Sequence, residues 1–122
     1  MMKEALENLP IELEQGELVT RYVEWGDMAV RYAQVPAGTD MGPVLEGLPG
    51  DRCPSDHWGI VLGGSLTLVH ADGTKEETSA GEAYHWPSGH TALSEEGAVF
   101  LEIGPVATMR AFGDHAKAKL GG

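Results

Sequence analysis

Three residues carry groups that could bind a metal at close spacing in one loop: Asp51, Cys53 and His57, the last two four apart. Imidazole nitrogen suits zinc, copper, nickel and ferrous iron, and a thiolate turns the preference toward zinc and other soft ions. Asp51, Cys53 and His57 lie in a loop that runs straight into an unbroken strand-like stretch, Trp58 to Val69, so a rigid strand would hold the donors toward a cavity. The same pair permits a second chemistry, with Cys53 as nucleophile and His57 as its base, but no oxyanion donors accompany it. Purely structural readings stand beside these. A lone cysteine packs as a small hydrophobe, and a histidine after Gly89 caps a turn. His57 is the least easily explained, because a polar ring at the head of a buried strand needs a partner or a cavity.

Other side chains could shape a substrate pocket. Arg31, and with it Arg21, falls in a strand-like segment among apolar or small neighbours (Val23, Ala29 and Ala33), where a guanidinium either clamps a carboxylate or snorkels at a sheet edge. Tyr84, His85 and Trp86 form an aromatic run that either packs a core or walls a ligand site. No residue is singled out as catalytic.

The elements that must position these groups are mostly short strands. Leu18–Trp25 and Met28–Val35 flank Gly26-Asp27, a hairpin connection. Turn residues crowd positions 36–56, which read as a long loop. In the strand from His57 to Val69 the odd positions are small and the even ones apolar, and a bulge at Gly63-Gly64 could invert the faces beyond it. Further strands are predicted near 75–79, 83–86, 90–93 and 98–103. A weak helical turn is expected over 1–9, stopped by Pro10, and the tail from Ala107 is read as an edge strand followed by a helix over 114–120. Eight or nine short strands with regular turn signals predict an all-β sandwich or barrel. The expected layout is a single domain over 1–122, with an arm at 1–17, the barrel at 18–110 and a tail at 111–122.

Composition narrows the function. The 122 residues carry a formal charge of -11, which would repel an extended polyanion such as nucleic acid. No apolar run is long enough for a membrane helix. Charges stand in the first ten residues where a signal peptide needs an apolar stretch, and a single cysteine cannot form an internal disulfide, so a reducing cytoplasmic setting is expected.

The chain resembles the cupin superfamily of small jelly-roll barrels. The first cupin motif, G-x5-H-x-H-x3or4-E-x6-G, aligns its last glycine with Gly64, its glutamate with His57, and its two histidines with Cys53 and Asp51. The second, G-x5-P-x-G-x2-H-x3-N, matches at Gly81, Pro87 and Gly89, but Ala92 and Glu96 replace its histidine and asparagine. Cys53–Gly59, Ala71–Gly73, Ala80–Tyr84 and Pro87–Thr91 are also similar to stretches of a smaller group of bacterial cupin-like proteins without an established activity. The resemblance implies a jelly-roll fold and an altered metal set in which His57, His90 and Cys53 hold one divalent transition metal (Zn, Fe, Ni or Mn). His90 stands two residues before the lost histidine and on its strand face, and Asp51 or His85 is the fourth donor that this altered set would draw on.

Two functions follow. One is a metal-dependent enzyme acting on a small organic molecule, with Arg31 or Arg21 orienting a carboxylate and oxygenase, isomerase or decarboxylase chemistry all open. The other is a metal-free barrel in which Tyr84, Trp86 and His57 bind a small ligand and no bond breaks. The apolar positions Trp58, Ile60 and Leu62, with an N-terminal arm over 1–20, predict a homodimer.

Overall fold

The computed structural model describes residues 3–120. Nine strands form one curled antiparallel sheet among the described residues: β1 (Ile11–Gln15), β2 (Leu18–Trp25), β3 (Met28–Val35), β4 (Thr39–Asp40), β5 (His57–Val69), β6 (Lys75–Ser79), β7 (Ala83–Trp86), β8 (Thr91–Ser94) and β9 (Ala98–Pro105). Their order is β1-β2-β3-β9-β5-β8-β4, with β6 and β7 also paired to β5. The hairpin closes as its turn residues dictate, Trp25 facing Met28 across Gly26-Asp27. β1 belongs to the same sheet, so the Ile11–Gln15 part of the expected arm is strand. A single 3-10 turn, Leu6–Asn8, precedes it. Met1 and Met2, the beginning of the expected helical turn, lie outside the described residues.

β5 organises the sheet because it changes faces midway. His57, Gly59 and Val61 point inward, the register against β9 shifts between Val61 and Gly63, and beyond it Leu66 and Leu68 point inward. The slip is confined to a place where only glycine fits: at Gly64 φ is +69° and a Cβ would lie 2.0 Å from the Gly97 carbonyl oxygen. The bulge lets the two halves of β5 serve different parts of the curl, β7 and β9 along the first half and β6 and β8 along the second.

The core is built from inward alternation on four strands, with Ala33, Val61, Leu68, Trp86 and Phe100 in one buried cluster. The long loop is partly ordered by a one-turn helix, α1 (Gly42–Leu45), and by a 3-10 turn at Pro49–Asp51. The tail differs from expectation. There is no edge strand after Ala107; one helix, α2, runs Val106–Leu120. Its buried stripe, Met109, Gly113 and Ala116, has helical spacing and packs beside Leu13 and Val44. The last two residues of the tail, 121–122, lie outside the described residues.

Candidate metal centre

Backbone geometry brings the three donors together. Cys53 pairs with His90 through an isolated antiparallel bridge between the loop before β5 and the residue before β8, and β5 begins at His57 four residues on. All three side chains are buried, and their donor atoms lie within 4.8 Å of one another. Cys53 Sγ is 3.2 Å from His57 Nε2, and the two imidazoles meet edge to face with centroids 5.0 Å apart. The His90 proton is fixed: Nδ1 donates to the Pro87 carbonyl at 2.7 Å, which leaves Nε2 as the lone-pair nitrogen. Asp51 takes no part; its carboxylate accepts from the Gly47 N–H.

The surroundings keep this cluster neutral. Burial pushes the Cys53 thiol up to about 12. Burial, assisted by the Arg31 charge, brings His57 down to about 3, and burial brings His90 down to about 4. Removal from water disfavours each charged form, so a thiol and two neutral imidazoles share the site. A thiolate nucleophile is not set up here, since burial outweighs the lowering that the Arg31 charge exerts on Cys53.

Behind His57 lies a charge network that the sequence reading did not assemble. Arg31 is 2% exposed and makes a two-point contact with Glu12 of β1, Nε to Oε1 at 2.8 Å and Nη2 to Oε2 at 2.9 Å. Nη2 also donates to the Met109 carbonyl at 2.9 Å, and Nη1 lies 3.8 Å from Glu102 Oε2. Burial alone would weaken the guanidinium, but its bonds to Glu12 and the charges of Glu12 and Glu102 outweigh that and hold its pKa above the ordinary value. Glu102 stands 3.9 Å from His57 Nδ1 and accepts from Tyr84 Oη at 3.3 Å; burial raises its pKa. Met109 Sδ touches His57 Nδ1 at 3.1 Å.

The remaining candidates divide between the two faces of the sheet. Trp86 and Tyr84 point inward, their rings 4.4 Å apart, and Gly59 makes room for the phenol, since a Cβ there would lie 2.6 Å from its oxygen. His85 points outward, half exposed, stacked on Trp58 at 4.8 Å and 3.3 Å from Asp56. Arg21 and Arg31 lie on opposite faces: Arg21 donates to the Leu9 carbonyl at 2.8 Å, while Arg31 shares the inner face with Ala29 and Ala33. The donors and Arg31 open on one cavity of about 80 Å³, walled otherwise by residues such as Leu13, Leu45, Trp86, Phe100 and Phe112.

No family model matches the chain, and no curated protein matches it either. Solved structures do. A structure of unknown function from Rhizobium leguminosarum is 24% identical, with a TM-score of 0.64 over 86% of this chain and 96% of that one. An RmlC-like cupin from Shewanella frigidimarina is 14% identical, with a TM-score of 0.61 over 86% and 90%. This chain has a cupin fold. An oxalate decarboxylase from Bacillus subtilis, a protein with Mn(II) centres, is 20% identical with a TM-score of 0.61; the match covers 84% of this chain and 28% of that one. Within the cupin barrel of the present chain the donors fit a soft or borderline ion better than a hard one. Ligands sharing a tetrahedral zinc lie roughly 3.3 to 3.6 Å apart, and a sulfur with two imidazole nitrogens suits zinc or copper.

Proposed function

We propose that this cupin barrel binds a small organic molecule at a centre where Cys53, His57 and His90 hold one divalent transition metal, zinc being the best fit to the donor set. The observation that supports the reading is the convergence of three buried donor atoms within 4.8 Å on the wall of one largely apolar cavity. Such an ion supplies Lewis acidity toward a bound oxygen or an activated water. The chain's own residues would do the rest. Leu13, Leu45, Phe100 and Phe112 exclude water from the molecule's apolar part, and Glu102 with Tyr84 can hold a proton beside His57. Arg31 is already engaged by Glu12, so it positions the wall of the site and does not serve as a free clamp for a substrate carboxylate. A single free cysteine suits a reducing, cytoplasmic setting.

A second reading is favoured by one feature: Cys53 and His57 satisfy each other at 3.2 Å as neutral groups, as they would in a metal-free binding barrel. Elemental analysis separates the two. Untagged protein purified without chelator should carry one transition-metal ion per chain, lost in His57→Ala and kept in His85→Ala. Metal-free wild-type protein that also takes up no added zinc would retire the metal reading in favour of the binding barrel.

A further inference from the structure

The charged side chains on the wall of the cavity are spent on one another. Arg31 Nε and Nη2 bond the Glu12 carboxylate, Nη2 also meets the Met109 carbonyl, and Nη1 lies 3.7 Å from Met109 Sδ and 3.8 Å from Glu102 Oε2. Two rings lie against the guanidinium, those of Tyr22 and Phe112, with centroids 5.0 and 5.1 Å from its carbon. Both carboxylates are engaged in turn: Glu12 also accepts from Thr20 at 2.9 Å, and Glu102 from Tyr84 at 3.3 Å. The neutral wall groups Thr39 and Ser94 donate to the carbonyls of Pro36 and Ser65. What is left for a ligand carries no charge: the Nε2 lone pair of His90, and the hydroxyl of Thr91, which is buried without a partner.

We propose, resting on the reading that a small molecule enters this cavity, that the molecule is uncharged: a short alcohol or carbonyl compound. Its oxygen lies at the edge formed by Cys53, His57 and His90, and its hydrocarbon body lies against Leu13, Leu45 and Phe100. A carboxylate would be buried without a cation, because taking Arg31 strands Glu12. An ammonium would have to take Glu12 or Glu102 from Arg31. Either exchange leaves a buried charge unpaired, which is costly, whereas a single neutral oxygen needs only a lone pair or a hydroxyl as its partner. The chain's net charge of -11 opposes an anion even before entry. Size narrows the class further. The cavity of about 80 Å³ is about half the ~150 Å³ apolar cavity that takes benzene, which sets the molecule at about four or five non-hydrogen atoms.

Amide chemical shifts of the full chain, chelator-treated and near neutral pH, test this in titrations with isobutanol, propionate and isobutylammonium, three probes of similar size. Isobutanol should bind at least about tenfold more tightly than either ion and should move the amides of Cys53, His90 and Phe112, not that of exposed Trp58. Glu12→Ala removes from Arg31 a side chain with the shape of propionate. Propionate should bind that variant at least about tenfold more tightly than wild type and raise its melting temperature. Where Glu12→Ala does not fold, the wild-type titrations decide alone. Either ion binding the wild-type cavity as tightly as isobutanol overturns the proposal, and so do isobutanol shifts that are absent or confined to the outer face. A folded Glu12→Ala that gains nothing for propionate overturns it too, because the Arg31–Glu12 pair would then not be what excludes anions. Metal content before chelation tests the metal separately: metal-free protein that still prefers isobutanol would retire the ion and keep the uncharged molecule.

Discussion

The backbone N–H of Cys53 donates to the carbonyl of His90 at 2.9 Å, and the Cys53 carbonyl accepts from the Gly89 N–H at 2.7 Å. Two of the three donors are therefore placed by main-chain bonds that no side-chain substitution removes. Cys53→Ser should leave the fold in place, since a hydroxyl can still donate to His57 Nε2. It should weaken zinc binding by about a hundredfold or more, because a thiolate ligand is gone. Competition against a chromogenic chelator measures the affinity and thermal unfolding measures the fold. Unchanged zinc affinity in Cys53→Ser would remove Cys53 from the ligand set.

Metal uptake should release one proton. Cys53 must ionise to ligate, and burial holds its thiol up at about 12, whereas His57 and His90 at about 3 and about 4 are already neutral. Zinc affinity should then rise about tenfold per pH unit between pH 6 and pH 8, one proton exchanged per ion. A flat profile would mean that the thiol is not a ligand; a slope of two protons would mean that a histidine is charged in the free protein.

Stability of the chelator-treated protein should depend on pH with a definite sign. The folded-state values of His57 and His90 lie below their unfolded value of about 6.5, so as pH falls below it the unfolded chain binds protons first and stability is lost. Glu102 acts oppositely: its raised pKa keeps a proton in the folded state that the unfolded chain gives up above about 4.5. Between about pH 4.7 and 6.5 two histidine protons favour the unfolded chain and the Glu102 proton opposes them, so stability falls with falling pH by less than the about 2.7 kcal/mol per unit that two protons alone would give. Of the groups facing this cluster, Arg31 stays charged and Cys53 stays neutral in that window. Glu102→Gln removes the opposing group and should steepen the loss toward about 2.7 kcal/mol per unit. Denaturation midpoints across the window decide it; equal slopes in the two proteins would show that Glu102 is ionised when folded. The thiol gives an alkaline arm, with stability falling from about pH 9 toward the Cys53 value of about 12.

The sheet was legible where a local rule settles the backbone. Gly26-Asp27 closes its hairpin, and Gly63-Gly64 marks the inversion of β5 because only glycine tolerates that approach to Gly97. Cys53 and His57 were legible as donors because their types are rare and their spacing suits a loop beside a strand, and His90 because it stands beside the lost histidine of the second cupin motif. The helix α2 was not, because its buried stripe is made of Gly113 and Ala116 and leaves little apolar period to read. Arg31 was visible as a lone charge among small residues, but its partner Glu12 sits two strands away, and pairing across strands cannot be counted along a chain. Glu102 gave a signal that went unused, a single carboxylate inside the apolar run from Ala98 to Ile103. The alternation on β7 that sends Tyr84 and Trp86 inward also sends His85 outward, and it was readable once the face of Trp86 was known.

Gly113 offers a test of how tightly helix and charge network are joined. In an exposed helix, replacing glycine by alanine stabilises by about 1 kcal/mol, because the backbone loses less freedom on folding. Here the new methyl would lie 2.3 Å from Glu12 Oε2 and 3.2 Å from Arg31 Nη2. Glu12 cannot swing away cheaply, since its carboxylate accepts two bonds from Arg31 and a third from Thr20 at 2.9 Å. Either α2 shifts outward or the buried pair is loosened; overpacking costs about 1–3 kcal/mol, and breaking a buried pair about 3–5. Gly113→Ala should therefore destabilise by about 2 kcal/mol or more despite its better helix propensity. Glu12→Gln, which keeps the shape but leaves the Arg31 charge uncompensated, should cost about 3 kcal/mol. In the double variant the two losses should fall well short of additive, because both act on one contact. Urea denaturation of the four proteins closes the cycle. A stabilising Gly113→Ala would mean that α2 does not rest on the ion pair, and full additivity would mean that the two residues do not touch.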